Sequence, residues 1–266
     1  MNWIYLSKQG TDEYINRLAQ GAGVKPTVLE DWNYDHSSDP LVLRGIMKHK
    51  IIKKCWQDQR PFRYMDSGYV GNRKNPLNPQ GWKLYHRIVP NNLQHNAVVD
   101  RPADRWEKLK IQISAWKKSG KKIIVAAPDD KPCIFYDIDL QQWINNVVQT
   151  LKQHTDRPIE IRSRDPNRQT RINNDLETAL NNDVFALVTF NSIAATESIL
   201  AGVPAFVLAP CNAALPVANT DLSKIESPWY PDSDQVFRWA CHLAYGQFHN
   251  QELSDGTAQR ILDEVI

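Results

Sequence analysis

No stretch of this 266-residue chain approaches the roughly 18 consecutive apolar residues that a membrane-spanning helix needs, so insertion in a membrane is not expected. The opening residues, MNWIYLSKQGTDEY, lack the basic start and apolar run of a secretory leader. Cysteine is sparse: Cys55, Cys133, Cys211 and Cys241 stand 78, 78 and 30 residues apart with no CxxC pair. That spacing suits neither a zinc nor a disulfide framework and fits reduced thiols in a cytoplasm, the expected location. Neither GxxxxGK[ST] nor GxGxxG occurs, which leaves ATP or NAD binding by those devices without support. The seven histidines and scattered carboxylates show no spacing for a dedicated metal site. Internal repeats and low-complexity segments are also missing.

Hydrophobic residues make up 42% and charged residues 23%, a globular balance that argues against disorder. Nine Trp and nine Tyr supply ample ring area for a core. The net charge of +2 hides an asymmetry. Residues 51–122 hold 16 Lys and Arg against 5 Asp and Glu, whereas 201–266 hold 3 against 8. The basic stretch also carries Trp56, Phe62, Tyr64, Tyr69, Trp82, Tyr85, Trp106 and Trp116. Cations neutralise phosphates and rings stack on bases, so such a stretch suits a polyanion. The plainer alternative is a solvated face over an aromatic core.

Strand-like runs NWIYLS, PTVLEDW and LVLRGI open the chain, and PFRYMDSGYVGN reads as a strand ending in a glycine-punctuated loop. Lys74 to Asn96 is rich in Pro and Asn and reads as mostly loop. Trp106, Leu109, Ile113 and Trp116 recur at helical spacing up to Ser119-Gly120, where a domain border is expected. The second half alternates continuous apolar strands (KKIIVAAP, RPIEIRS, VFALVTF, VPAFVLAP) with helical segments. One helix follows Leu140, Trp143, Ile144, Val147, Val148 and Leu151 behind an Asp139 cap, and another, SIAATESILAG, closes at Gly202. Strands apolar on both faces imply a parallel sheet covered by helices, a doubly wound α/β domain. The organisation expected is an N-terminal domain 1–118, a second domain 119–230, and helices in 231–266 that can pack back on the first.

In such sheets ligands bind outside the carboxyl ends of the strands. Three elements fall there: Asp129-Asp130-Lys131; Arg162, Arg164 and Arg168; and Asn191, Ser192, Thr196 and Glu197. Helix amides, hydroxyls and arginines together make an anion pocket, and Glu197 could accept from a ribose diol. Each has a plainer role: Ser192 and Thr196 as cap and packing, Arg162 and Arg164 as surface partners of Glu160 and Asp165.

The segment FALVTFNSIAATESILAGVPAFVLAP resembles the donor half of GT-B glycosyltransferases of the bacterial capsule type, the Kdo transferases and their polysialyltransferase-like relatives. The matching features are Asn191-Ser192, Glu197 and Gly202-Val203-Pro204. Arg164-Asp165-Pro166 stands where that group has His-Pro, and YMDSGYVGN resembles its Glu-Asp-Gly-Phe stretch with Ser67 interposed. The resemblance implies two Rossmann-like α/β halves with parallel sheets and a donor site in the interdomain cleft. It also implies transfer of a sugar from a nucleotide sugar, a UDP-sugar ahead of a CMP-sugar, with no required metal or other cofactor. Lys131, Arg162, Arg164, Asn191, Ser192, Thr196 and Glu197 would hold the donor, and Asp66 would be the base, with His36, His86 and His95 as rivals.

For the acceptor, Lys53, Lys54, Tyr69, Arg73, Lys74 and Trp82 are the candidates. A polyanion fits them, and DNA with hydroxymethylated pyrimidines is the expectation, as in phage base-glycosylating enzymes, some of which share the fold. Such an enzyme must flip its base out of the duplex. An anionic surface glycan or lipid is the alternative. Two further readings stay open: a non-catalytic nucleic-acid-binding protein with a degenerate transferase fold, and a nucleotide-sugar epimerase.

Overall fold

The computed structural model describes residues 2–35, 37–72, 84–163 and 176–264. The chain divides into two compact units, Met1–Gln94 with Leu243–Ile266, and His95–His242. The first begins with β1 (Ile4–Ser7), α1 (Glu13–Gly21), β2 (Thr27–Val28), β3 (Leu41–Arg44), α2 (His49–Gln57), β4 (Phe62–Ser67) and β5 (Tyr85–Pro90). The second holds α3 (Asp104–Leu109), β6 (Lys122–Ala126), α4 (Asp130–Tyr136), α5 (Leu140–Lys152), β7 (Ile159–Arg162), α6 (Leu176–Leu180), β8 (Val184–Thr189), α7 (Ala194–Leu200) and β9 (Ala205–Val207). Along α8 (Ser233–Tyr245) the chain passes back, and β10 (Gln247–His249), α9 (Asn250–Ser254) and α10 (Thr257–Glu264) complete the first unit.

In the first unit the sheet order is β10-β5-β4-β3-β1-β2. Strands β2, β1, β3 and β4 run parallel, while β5 and β10 join antiparallel. The expectation of an all-parallel first sheet therefore holds for four of its strands. Asp12 caps α1 by accepting from the Ile15 amide at 3.4 Å, and the helix buries Tyr14, Ile15, Leu18 and Ala19. These meet Tyr5, Val42 and Met65 of the sheet and Phe248, Leu253, Ala258 and Leu262 of the C-terminal segment in one core. Gly21 permits that packing, since a Cβ there would lie 2.2 Å from the Leu253 carbonyl oxygen.

The second sheet has the order β7-β6-β8-β9, wholly parallel. Its central strand β8 is buried at every residue, as its unbroken apolar run predicts. Asp139 caps α5 through the Gln142 amide at 2.7 Å, and Val147 and Leu151 pack on the face of Ile123 and Val125. The opposite face, with Ile124 and Ala126, is covered by Ala179 and Leu180 of α6 and Ala194 of α7. Because α5 and α7 lie on opposite faces, the chain reverses direction between β6 and β8, and that is the sheet's switch point.

Three sequence expectations need correction. Within the stretch read as loop, Tyr85–Pro90 is a strand whose His86, Arg87, Ile88 and Val89 are all buried. Two polar residues inside it hide the apolar signature. The helix expected through residue 118 stops at Leu109, with Lys110 left-handed at φ 54°. The next segment bonds instead to the α7–β9 turn, Ser114 N–H to Leu200 O at 2.9 Å and Lys117 N–H to Gly202 O at 2.7 Å. The border expected near 118 accordingly falls at Gln94/His95, and again at His242/Leu243. No helix among the described residues is long and apolar enough to cross a membrane.

Candidate active site

At the switch point of the second unit, the loops after β6 and β8 leave neighbouring strands. Thr189 ties the two strand ends together, its buried hydroxyl donating to the Ala126 carbonyl at 2.8 Å. Asn191 and Ser192 follow at the half-buried turn. The Ser192 hydroxyl accepts from the Ala194 amide at 3.2 Å, while the Ser192 carbonyl accepts from Asn212 at 3.2 Å. Asn212 is itself fully buried and takes the Ala214 amide at 2.8 Å, so the loop after β9 braces this turn. From α4, Tyr136 packs edge-on to Phe190 at 5.1 Å. Burial raises the Tyr136 pKa, against the smaller effect of a hydrogen bond with Asn191, and its hydroxyl stays protonated at neutral pH.

The donor candidates divide by position. Asn191 and Ser192 sit at the strand end, Lys131 is exposed on the first turn of α4, and Glu197 is the exposed residue of α7. Thr196 is fully buried with its hydroxyl unpartnered among the described residues, so it packs α7 against the core rather than meeting a ligand. Arg162 turns back along its own strand to Glu160 at 3.3 Å, and Glu160 also takes Lys122 at 2.7 Å. Hydrogen bonding from Lys122 holds the Glu160 carboxyl below its ordinary range, against the opposing pull of burial. Glu160 is thus a carboxylate shared by Arg162 and Lys122. Arg164 and Arg168 lie outside the described residues.

In the first unit Asp66 stands near the carboxyl end of β4, its side chain 34% exposed. Its Oδ2 accepts from the Tyr64 hydroxyl at 2.7 Å and faces Arg87 Nη2 at 3.4 Å, and its Oδ1 accepts from the Ser67 amide at 2.8 Å. Burial alone would raise its pKa; Arg87, Tyr64, the Ser67 amide and Arg44 outweigh it and hold the carboxyl below the ordinary range. Arg87 is anchored further by the carbonyls of Ser67 at 2.6 Å and Leu93 at 3.2 Å. The loop beyond is pinned as well. Gln247 accepts from the Tyr69 and Val70 amides at 2.7 and 3.1 Å, and Asn72 bonds both backbone groups of Tyr85. Nothing in the sequence marks Arg87 or Gln247 as part of this site, because only the β4–β5–β10 pairing brings Arg87 to Asp66 and Gln247 to the loop after it. Of the rival bases, His86 is buried against the Tyr14 ring at 3.9 Å, His95 packs edge-on to His242 at 5.2 Å, and His36 lies outside the described residues.

Much of the basic, ring-rich stretch is interior rather than surface among the described residues. It runs from the first unit into the second. Within it Arg60, Arg63 and Arg87 are buried, paired with Asp35, Asp263 and Asp66. Phe62, Tyr64, Tyr69 and Trp106 are buried too, which removes Tyr69 as an acceptor-stacking ring. Lys53 and Lys54 lie on α2, the latter exposed with its ammonium 5.0 Å from the Tyr34 ring centre. Arg73, Lys74 and Trp82 lie outside the described residues.

No protein-family model matches the chain, and no curated protein matches its sequence. The solved structures similar to it include two transferases. One is Thermosulfurimonas dismutans KpsC, beta Kdo 2,4 transferase, at 9% identity and TM-score 0.47, covering 92% of this chain and 99% of that one. The other is Thermosulfurimonas dismutans KpsC, beta Kdo 2,7 transferase, at 9% identity and TM-score 0.43, covering 98% and 99%. Likeness of this degree leaves the functional reading to the residues themselves.

Proposed function

We propose that the chain is a glycosyltransferase that takes a nucleotide sugar at the switch point of its second unit. The observation that carries this reading is the braced Asn191–Ser192 turn at the end of β8, at the place where open parallel sheets bind ligands. Asn191, Ser192 and Lys131 are assigned to the donor phosphates, and Glu197 to a hydroxyl-bearing part of the donor. A sugar leaving a phosphate builds negative charge there, which amides and an ammonium stabilise in the transition state. Asp66 is assigned as the base, ionised and oriented by three donors. The donor is proposed to be a UDP-sugar, with no metal required.

For the acceptor we favour an anionic surface glycan or lipid over hydroxymethylated DNA. Burial of Phe62, Tyr64, Tyr69 and Trp106 withdraws four of the eight rings of the basic stretch from stacking on a flipped base or filling its vacated place, a need that DNA has and an anionic glycan or lipid does not.

A thermal-shift screen of nucleotide diphosphates and their sugar conjugates tests the donor assignment. A ligand at ~100 times its dissociation constant stabilises the fold by about 2.7 kcal/mol, and Glu197→Ala should reduce that shift. Asp66→Asn should abolish turnover while donor affinity stays within a few fold. No shift with any nucleotide overturns the reading. On the acceptor side, Lys53→Ala with Lys54→Ala should leave DNA affinity and its salt dependence unchanged; a flattened salt dependence would restore DNA.

A further inference from the structure

The first unit repeats the switch point of the second. Its parallel strands β2-β1-β3-β4 reverse direction between β1 and β3, just as β7-β6-β8-β9 reverse between β6 and β8. The loops at the carboxyl ends of β2, β1 and β3 therefore converge, and they bring Glu30, Gln9 with Lys8, and Lys48 together. Gln9 is left-handed at φ 51° and is followed by Gly10 at φ 67°. This turn leaves the Gln9 amide free of the β1 ladder, and what it meets is the Glu30 carboxylate, 2.7 Å away. The N-terminus of α1 is not the acceptor of this charge, because Asp12 already caps it and pairs with Arg44 at 3.2 Å.

The charges here do not balance. Among the described residues, neither Lys8 nor Lys48 closes an ion pair, while the Glu30 carboxylate is the anion both act on. The Gln9 amide first, then the amide of Glu30 itself, Lys48 and Lys8, hold the Glu30 carboxyl below its ordinary range against the opposing pull of burial. Burial and the neighbouring Lys8 push the Lys48 ammonium down in turn, against the smaller upward pulls of Glu30 and Asp12. Two cations that close no ion pair among the described residues thus act on a single exposed carboxylate that is borne on a short turn and held by the Gln9 amide. That is the chemistry of an anion site with an internal group in it.

We propose that the carboxyl ends of β1, β2 and β3 form an anion-binding site in which Glu30 is a built-in placeholder. The anionic group of the acceptor, a carboxylate or phosphate, displaces Glu30 and is held by the Gln9 amide, Lys8 and Lys48. Glu30 then sets a threshold: a neutral hydroxyl compound cannot compete for the site, whereas a charged one replaces like with like. The transferase reading enters only in calling the ligand the acceptor.

Inorganic phosphate titrated into the full chain, followed by the amide NMR signals of Gln9 and Gly10, tests this directly. The expected result is saturable binding that tightens about fivefold in Glu30→Ala, the factor that one exposed charge–charge interaction is worth. Binding should be lost when Lys8→Ala and Lys48→Ala are added. Glu30→Gln, which keeps an oxygen for the Gln9 amide, serves if Glu30→Ala does not fold. An unresponsive Gln9 amide in the Glu30 variants overturns the proposal, and so does binding that survives loss of both lysines. Sodium acetate run in parallel assigns the group: tighter acetate marks a carboxylate, tighter phosphate a phosphoryl group, and binding of neither overturns the proposal. A blank nucleotide screen with phosphate binding intact removes the transferase and leaves this site; the reverse removes this site alone.

Discussion

The two units place their four parallel strands in the same order, second beside first, then third, then fourth, although no repeat is visible in the sequence. They differ in what they bury. In the second unit β8 is apolar from end to end and the loops at the switch point carry short polar side chains. The first unit adds β5 and β10 antiparallel to β4 and encloses Arg63 and Arg87 in its sheet, each with a carboxylate partner. Identical topology thus tolerates two interiors, one held by apolar packing and one by packing plus paired charge. Burying a charge costs several kcal/mol unless it is paired and hydrogen-bonded, so the second kind of interior is the more easily broken by a single change.

The largest expected effect sharpens the comparison through pH. His242, buried in the second unit with its Nε2 unpartnered among the described residues, has its pKa pushed from 6.5 to about 4 by burial and then by Arg101. The unfolded chain takes up that proton near its ordinary value and the folded chain only near pH 4. The contribution is full above pH 6.5 and drains as pH falls towards 4, on the order of 3 kcal/mol in all. Asp66 in the first unit, with its pKa depressed, keeps its contribution until pH falls below the ordinary carboxylate range. Hydrogen exchange followed between pH 7 and 4 should show the second unit opening first, and His242→Leu should remove that difference.

Next comes Arg87→Met, which leaves Asp66 and the carbonyls of Ser67 and Leu93 without their donor. Removing one partner of a buried pair costs about 3–5 kcal/mol; with Asp66 partly exposed, about 2–3 kcal/mol is expected from urea unfolding. An unchanged midpoint would mean that the first unit does not depend on its enclosed charges. The smallest effect is the counterpart in the second unit, where Lys131→Met at an exposed position should shift stability by less than about 0.5 kcal/mol. A loss comparable to that of Arg87→Met would erase the contrast between the units.

Legibility follows the same division. Ile4–Ser7, Leu140–Lys152 and Val184–Thr189 are plain in the sequence because period and capping act locally. The strand Tyr85–Pro90 is not, since His86 and Arg87 read as surface residues until Tyr14 and Asp66 are brought to them. Residues 111–118 carry a helical stripe, yet their amides find partners at Leu200 and Gly202 instead. The strand end before Asn191 and Ser192 is marked by the apolar run of β8, whereas Asp66 is singled out only by the resemblance of YMDSGYVGN to a Glu-Asp-Gly-Phe stretch. Thr196 reads as a ligand contact from the helix after that strand, and Tyr69 from the basic, ring-rich stretch; both are buried.

By itself, the sequence determined the alternation of strands and helices in the second half, its parallel sheet, and the polar turn after β8, because apolar runs and caps depend on neighbours a few residues away. Only the tertiary structure decided which arginines face inward, which rings are covered, and that the Glu30 carboxylate meets the Gln9 amide. Those outcomes turn on contacts between residues far apart in the chain, and a charge or ring in a linear pattern carries no mark of whether water or a partner will receive it.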